Sequence, residues 1–126
     1  MPRQSEPLNP EKMHEMSLAM SVADIAGRTM EGYPGRSLTA VELTVGELAG
    51  VEIETFRTAL DAVFRSSRWP AAVAEITVVP GESCCLNCGC RFASSTLYSV
   101  CPDCGSGACS VVAGTEFKVD AVRMTD

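Results

Sequence analysis

Cys85-Leu86-Asn87-Cys88-Gly89, followed later by Cys101-Pro102-Asp103-Cys104-Gly105, is the stretch that decides how this chain folds. Two cysteine pairs, each spaced by two residues, make the four-thiolate set of a closed tetrahedral zinc site. A two-residue gap turns the chain back far enough for both sulfurs to reach one ion at about 2.3 Å. The glycine after each second cysteine accepts the positive φ that such a turn needs. A closed site of this kind is structural, so the function is to be sought elsewhere on the chain.

All seven cysteines lie between Cys84 and Cys109. That clustering favours one local metal module over disulfides spread along the chain, and fits reduced thiols in a cytoplasmic protein. The first twelve residues are polar and proline-rich, without the apolar stretch of a secretory signal. No apolar run approaches the roughly 20 residues of a membrane helix. With 126 residues, 46% of them hydrophobic, the chain can bury one modest core. Its formal charge of −6 disfavours nucleic acid, which needs clustered Lys and Arg. An acidic chain suits the handling of cations or docking on a basic surface.

Working outward from the knuckles, residues 1–12 read as a flexible tail. A helix follows from Glu15, with Met16, Ala19, Met20 and Ala23 on one apolar row and Leu18, Val22 and Ile25 on the next. Gly32-Tyr33-Pro34-Gly35 ends it. Alternation over Leu38–Val45 predicts a half-buried strand. Ile53, Phe56, Leu60, Val63 and Phe64 mark a second amphipathic helix, with Arg57–Asp61 and Asp61–Arg65 as i,i+4 pairs. Glu52 stands where the helix dipole favours an acid. Strands follow over Ala72–Val79 and Gly114–Met124. The expected fold is α+β: two helices on a three-stranded antiparallel sheet, interrupted by an inserted four-cysteine zinc ribbon at 81–112. Residues 13–80 and 113–126 form the α+β domain around it.

The module holds few sizeable apolar residues, Phe92, Leu97, Tyr98 and Val100 among them, so metal must supply its folding free energy. Cys84 can replace Cys85 as first ligand, because zinc tolerates a three-residue gap. Cys85 is preferred since it makes both knuckles alike. Cys84, Cys90 and Cys109 are then spare. Arg91 is the one basic residue of the module, against Glu82 and Asp103, which argues against a nucleic-acid ribbon.

His14, the only histidine, stands in Met13-His14-Glu15. Met13-His14-Glu15-Met16-Ser17-Leu18-Ala19, then Ser21-Val22 and Asp24-Ile25, resembles the start of the HypA/HybF family, nickel metallochaperones of [NiFe] hydrogenase maturation. The likeness continues through Val41-Glu42-Leu43-Thr44-Val45-Gly46-Glu47-Leu48, Ile76-Thr77-Val78, both knuckles and Gly114-Thr115-Glu116-Phe117-Lys118-Val119. The resemblance implies structural zinc on Cys85, Cys88, Cys101 and Cys104, and a nickel cargo site at the Met-His-Glu head. By position His14 gives the imidazole, Met13 a backbone ligand, and Glu15 backbone or carboxylate support. Ni(II) favours such nitrogen-rich tetragonal fields. The implied partners are a GTPase that inserts nickel and the hydrogenase large-subunit precursor; the protein itself is read as a monomer or weak dimer.

In that family the head is the chain terminus and its α-amine binds nickel, whereas here twelve residues precede Met13. A start at Met13, the preferred reading, or cleavage of the tail restores the amine, whose pKa of about 8 makes it a far better donor than an amide; otherwise nickel is held by another ligand set. The alternative function is a zinc-ribbon adaptor that binds protein alone. A redox enzyme is disfavoured because the Cys-x-x-Cys pairs sit among glycines and acids rather than cations. No nucleophile–base set surrounds the lone histidine, so the reading is a non-enzyme. Met16 and Met20 are read as core rather than as soft-metal ligands.

Overall fold

The computed structural model describes residues 10–126, with side chains from His14 onward. Residues 1–9 of the expected tail, and the Met13 side chain, lie outside the described residues. The elements are α1 (Pro10–Met30), β1 (Leu38–Gly46), α2 (Ile53–Arg65), β2 (Val73–Val79), β3 (Glu82–Cys85), β4 (Arg91–Ala93), β5 (Cys109–Ala113) and β6 (Phe117–Met124). Helix α1 thus begins at Pro10 rather than at Glu15. Proline is well suited to a first helical turn, where its missing N–H costs nothing.

Two compact units divide the chain. One holds α1, β1 through Glu42, Val51–Glu75 and Ala121–Asp126; the other holds Leu43–Gly50 and Ile76–Asp120. In the first unit α1 packs on α2. Ala19, Val22, Ala26 and Met30 of α1, Phe56, Ala59, Leu60 and Phe64 of α2, and Leu38, Ala40 and Val41 of β1 are buried. The buried stripe of α1 is therefore Glu15, Ala19, Val22, Ala26 and Met30, one step round from the expected face. Met16 and Met20, read as core, are 39% and 59% exposed. Ala19 and Ala26 on the stripe are small enough to let two helix backbones approach closely.

Helix α2 is capped as its sequence demands. The Glu52 side chain accepts from the Thr55 N–H at 2.8 Å, and this bond, first with the Thr55 hydroxyl and then with its N–H, holds the Glu52 carboxyl below its ordinary range. On the wet face Arg57 pairs with Glu54 at 3.8 Å, one turn back, rather than with Asp61.

The larger sheet has the order β2-β1-β6. Ser37 bonds with Thr125 at one end and the Gly46 N–H reaches the Glu116 carbonyl at the other, so β1 and β6 run antiparallel. The Glu47 N–H meets the Val79 carbonyl at 2.8 Å, which sets the end of β2 beside the end of β1. That pair is parallel, joined through α2 as a crossover. The three strands and two helices stand as expected, but the sheet is mixed rather than wholly antiparallel. The length of the α2 connection permits it: a hairpin would force antiparallel pairing, and thirteen helical residues do not. A second, antiparallel sheet of order β4-β3-β5 carries the cysteine region.

Backbones meet closely at the root of that region. A Cβ built on Gly46 would stand 2.0 Å from the Gly114 carbonyl oxygen, and one on Gly81 2.1 Å from that of Ser94. Neither neighbour can yield, because both are main chain. Gly46→Ala should therefore cost about 3 kcal/mol and lower the melting temperature by about 10 °C. A thermal melt checks this, with Gly27→Ala, whose Cβ meets open space on a helix and should not lower the melting temperature, as the control.

Candidate metal centres

Cys85, Cys88, Cys101 and Cys104 converge, their sulfurs all within 4.8 Å of one another. Cys85 and Cys104 approach to 3.6 Å, as do Cys88 and Cys101. These separations are close to the ~3.8 Å edge of a tetrahedron with ~2.3 Å metal–sulfur bonds, and far beyond a disulfide at about 2.05 Å. Gly89 and Gly105 close the knuckles at φ of 80° and 76°. These conformations let the Gly89 and Gly105 N–H groups return to the carbonyls of Cys85 and Cys101, each at 2.9 Å.

Each knuckle turns its backbone donors onto its first sulfur. Asn87 and Cys88 N–H groups point at the Cys85 Sγ at 3.4 Å, and those of Asp103 and Cys104 at the Cys101 Sγ at 3.4 and 3.5 Å. The Cys88 N–H, ahead of that of Asn87 and against the opposing effect of burial, holds the Cys85 thiol down to about 6. Cys101 is lowered chiefly by the Cys104 N–H. Cys88 is pushed up to about 12: the Cys90 N–H works against the rise, but the Cys101 sulfur, burial and the other two thiols outweigh it. The Cys85 thiol is thus drawn toward the thiolate that a metal needs, Cys101 is shifted in the same direction, and a divalent cation would displace the proton of Cys88. Four convergent soft donors, two of them buried and with N–H support, fit zinc. The Asn87 amide adds a further donor to Cys104 at 3.6 Å, a role its sequence position did not announce.

Strand β3 settles which neighbour enters the cluster. Ser83 and Cys85 are buried on one side, while Cys84, half-buried, alternates to the other and points its thiol at the carbonyls of Cys85 and Gly89. Cys109 lies opposite Cys85 across β3 and β5. Burial, then the Cys85 sulfur, pushes its thiol up. Cys90 is raised by burial, then by Asp103.

The Met-His-Glu head belongs to the other unit. His14 is half exposed, with its Nδ1 3.8 Å from Glu15 Oε2. Glu15, only 1% exposed, also accepts the Glu52 N–H on Oε2 at 2.7 Å. Its Oε1 is buried without a hydrogen-bond partner among the described residues. An orphaned buried carboxylate oxygen is costly, and a cation or a donor supplied by a ligand would relieve it. The Met13 backbone lies in the first turn of α1. Sequence reading foresaw Glu15 beside His14 but not its burial, nor its bond to the Glu52 amide. No helix among the described residues is long and apolar enough to cross a membrane.

Comparison with known proteins matches residues 13–124 to the family "Hydrogenase/urease nickel incorporation, metallochaperone, hypA". Curated relatives include hydrogenase maturation factor HypA of Prosthecochloris aestuarii, 37% identical over 112 residues, 89% of this chain and 99% of the relative. That of Alkalilimnicola ehrlichii is 37% identical over 107 residues, covering 85% and 95%. Among solved structures, the solution structure of a HypA protein aligns with a TM-score of 0.62 at 23% identity, over 90% of this chain and 97% of that one. The solution structure of the Ni metallochaperone HypA from Helicobacter pylori aligns at 0.57 and 21%, over 87% and 96%. These two similarities speak for the fold.

Proposed function

The chain belongs to the HypA family of nickel metallochaperones, and from that premise we propose that it binds one Ni(II) at its Met13-His14-Glu15 head and delivers it during maturation of [NiFe] hydrogenase. Structural zinc is held by Cys85, Cys88, Cys101 and Cys104, in the module inserted at 81–112. The observation that carries the nickel reading is the Glu15 Oε1, without a hydrogen-bond partner among the described residues and buried beside the exposed imidazole of His14. His14 supplies the imidazole and Met13 the backbone donor. Glu15 supports the site from beneath, anchored by the Glu52 amide. A half-exposed imidazole near a helix start releases cargo readily, as a carrier requires. The protein is not an enzyme, works in the cytoplasm, and hands nickel on with a GTPase insertion partner towards the hydrogenase large-subunit precursor.

X-ray absorption on chain loaded with both metals tests this. Zinc should show four sulfurs at about 2.3 Å and nickel a nitrogen and oxygen shell containing imidazole. Nickel on thiolates, or no bound nickel, overturns the proposal. A zinc-ribbon adaptor without nickel is favoured by one observation: Leu86, Leu97, Tyr98 and Val100 are all more than half exposed. It requires partner capture that is unaltered by His14→Ala and a chain that retains zinc alone.

A further inference from the structure

We infer that Cys109 is a redox partner of Cys85, and that peroxide joins the two in a cross-strand disulfide that dismantles the zinc cage. The proposal rests on the assignment of Cys85 as a zinc ligand and goes beyond it, because it gives a role to a thiol outside the cage.

Register carries the argument. Ser83 faces Val111, Cys84 faces Ser110 and Cys85 faces Cys109 along antiparallel β3 and β5. The Leu86 N–H continues the ladder to the Ala108 carbonyl at 2.8 Å. The Cys85 N–H turns the other way, to the Cys90 carbonyl at 2.8 Å, and the Cys109 N–H bonds to Gly107 at 3.0 Å. Cys85 and Cys109 are therefore a non-hydrogen-bonded antiparallel pair. Opposed residues at such positions have Cα atoms about 4.5 Å apart and side chains on one face of the sheet. That separation lies inside the window of about 4.4–6.8 Å that a disulfide bridges without moving the backbone. The other spare thiols lack this placement: Cys84 faces Ser110 across β5 and Arg91 across β4, and Cys90 lies in the turn between β3 and β4.

Accessibility orders the steps. Cys109 is half-buried and Cys85 is closed off, so Cys109 meets the oxidant first. On losing its proton it reacts as the thiolate, which takes one oxygen from hydrogen peroxide and, with that proton returned, gives sulfenic acid and water. The Cys85 thiolate then attacks the sulfenic sulfur and expels hydroxide. Two electrons pass from the sulfur pair to the peroxide. One thiol, one thiolate and one peroxide become one disulfide, one water and one hydroxide. The cage loses a buried ligand and its ion.

The test treats zinc-loaded full chain with hydrogen peroxide, quenches with catalase and follows zinc with a colorimetric chelator. Disulfides are mapped by non-reducing peptide mass spectrometry. Zinc content is measured first on the parent chain and on Cys85→Ser; full zinc in that variant would overturn the ligand assignment itself, separately from the redox pair. A Cys85–Cys109 linked peptide, zinc release, and recovery with dithiothreitol and zinc are expected. Cys109→Ser should slow release at least fivefold, and Cys90→Ser should behave as the parent. Linkages confined to Cys85, Cys88, Cys101 and Cys104, with Cys109 still alkylatable, would overturn the pairing, as would an unchanged rate in Cys109→Ser.

Discussion

His14→Ala should weaken nickel binding at least about 100-fold while leaving zinc content and the melting curve as in the parent chain. Removing an imidazole ligand outright costs more than disturbing the groups behind it, which already costs about 10–100-fold. No other histidine exists to replace it. The fold should not register the change. His14 is half exposed, and the Glu15 carboxylate beside it keeps its bond to the Glu52 amide without it. Substitutions at such exposed positions alter stability by less than about 0.5 kcal/mol. Isothermal titration with nickel, run beside zinc analysis, checks both halves. Nickel affinity within threefold of the parent would remove His14 from the site, and loss of zinc would mean that the substitution acts through the fold.

The knuckles were legible because their chemistry is local: two cysteines, a two-residue gap and a glycine determine the turn wherever the chain goes next. Strand alternation was legible for the same reason, so β1, β2 and β6 fall close to their expected bounds. Strand sense was not. Whether β2 joins β1 parallel or antiparallel depends on the path of α2, which no single residue encodes. The face of α1 was misread for a chemical reason. Methionine looks like core and glutamate like surface, yet Glu15 is buried and Met20 exposed. The i, i+4, i+7, i+11 run of Glu15, Ala19, Val22 and Ala26 was present in the sequence; the acid at its head concealed it. Short strands of cysteine and serine such as β3 carry no hydropathy pattern, so the register that sets Cys109 against Cys85 was invisible before the fold.

Stripping zinc should unfold the cysteine region without unfolding the helices. Among residues 81–113 the buried side chains are Ser83, Cys85, Ser94 and Cys101, with no aliphatic or aromatic group fully covered. Leu97, Tyr98 and Val100, which sequence reading counted towards a small core, stand in solvent. Hydrophobic burial cannot hold such a segment, so the metal must, with a binding free energy on the order of 10 kcal/mol. Helices α1 and α2 keep their own core of Val22, Phe56, Leu60 and Phe64. Hydrogen exchange after chelation should show loss of protection over β3, β4 and β5 and retention in both helices, with helical circular dichroism nearly unchanged. Acid should act in the same direction. The folded Cys85 thiol titrates near 6, below the ordinary 9, so its thiolate survives at neutral pH and disappears as pH falls through that value. Zinc retention should accordingly weaken as pH falls, because protons compete with the metal for the four sulfurs, and should be lost before the helices melt. Protection of β3 and β5 that outlasted complete zinc removal would show that the segment has a source of stability other than its four sulfurs.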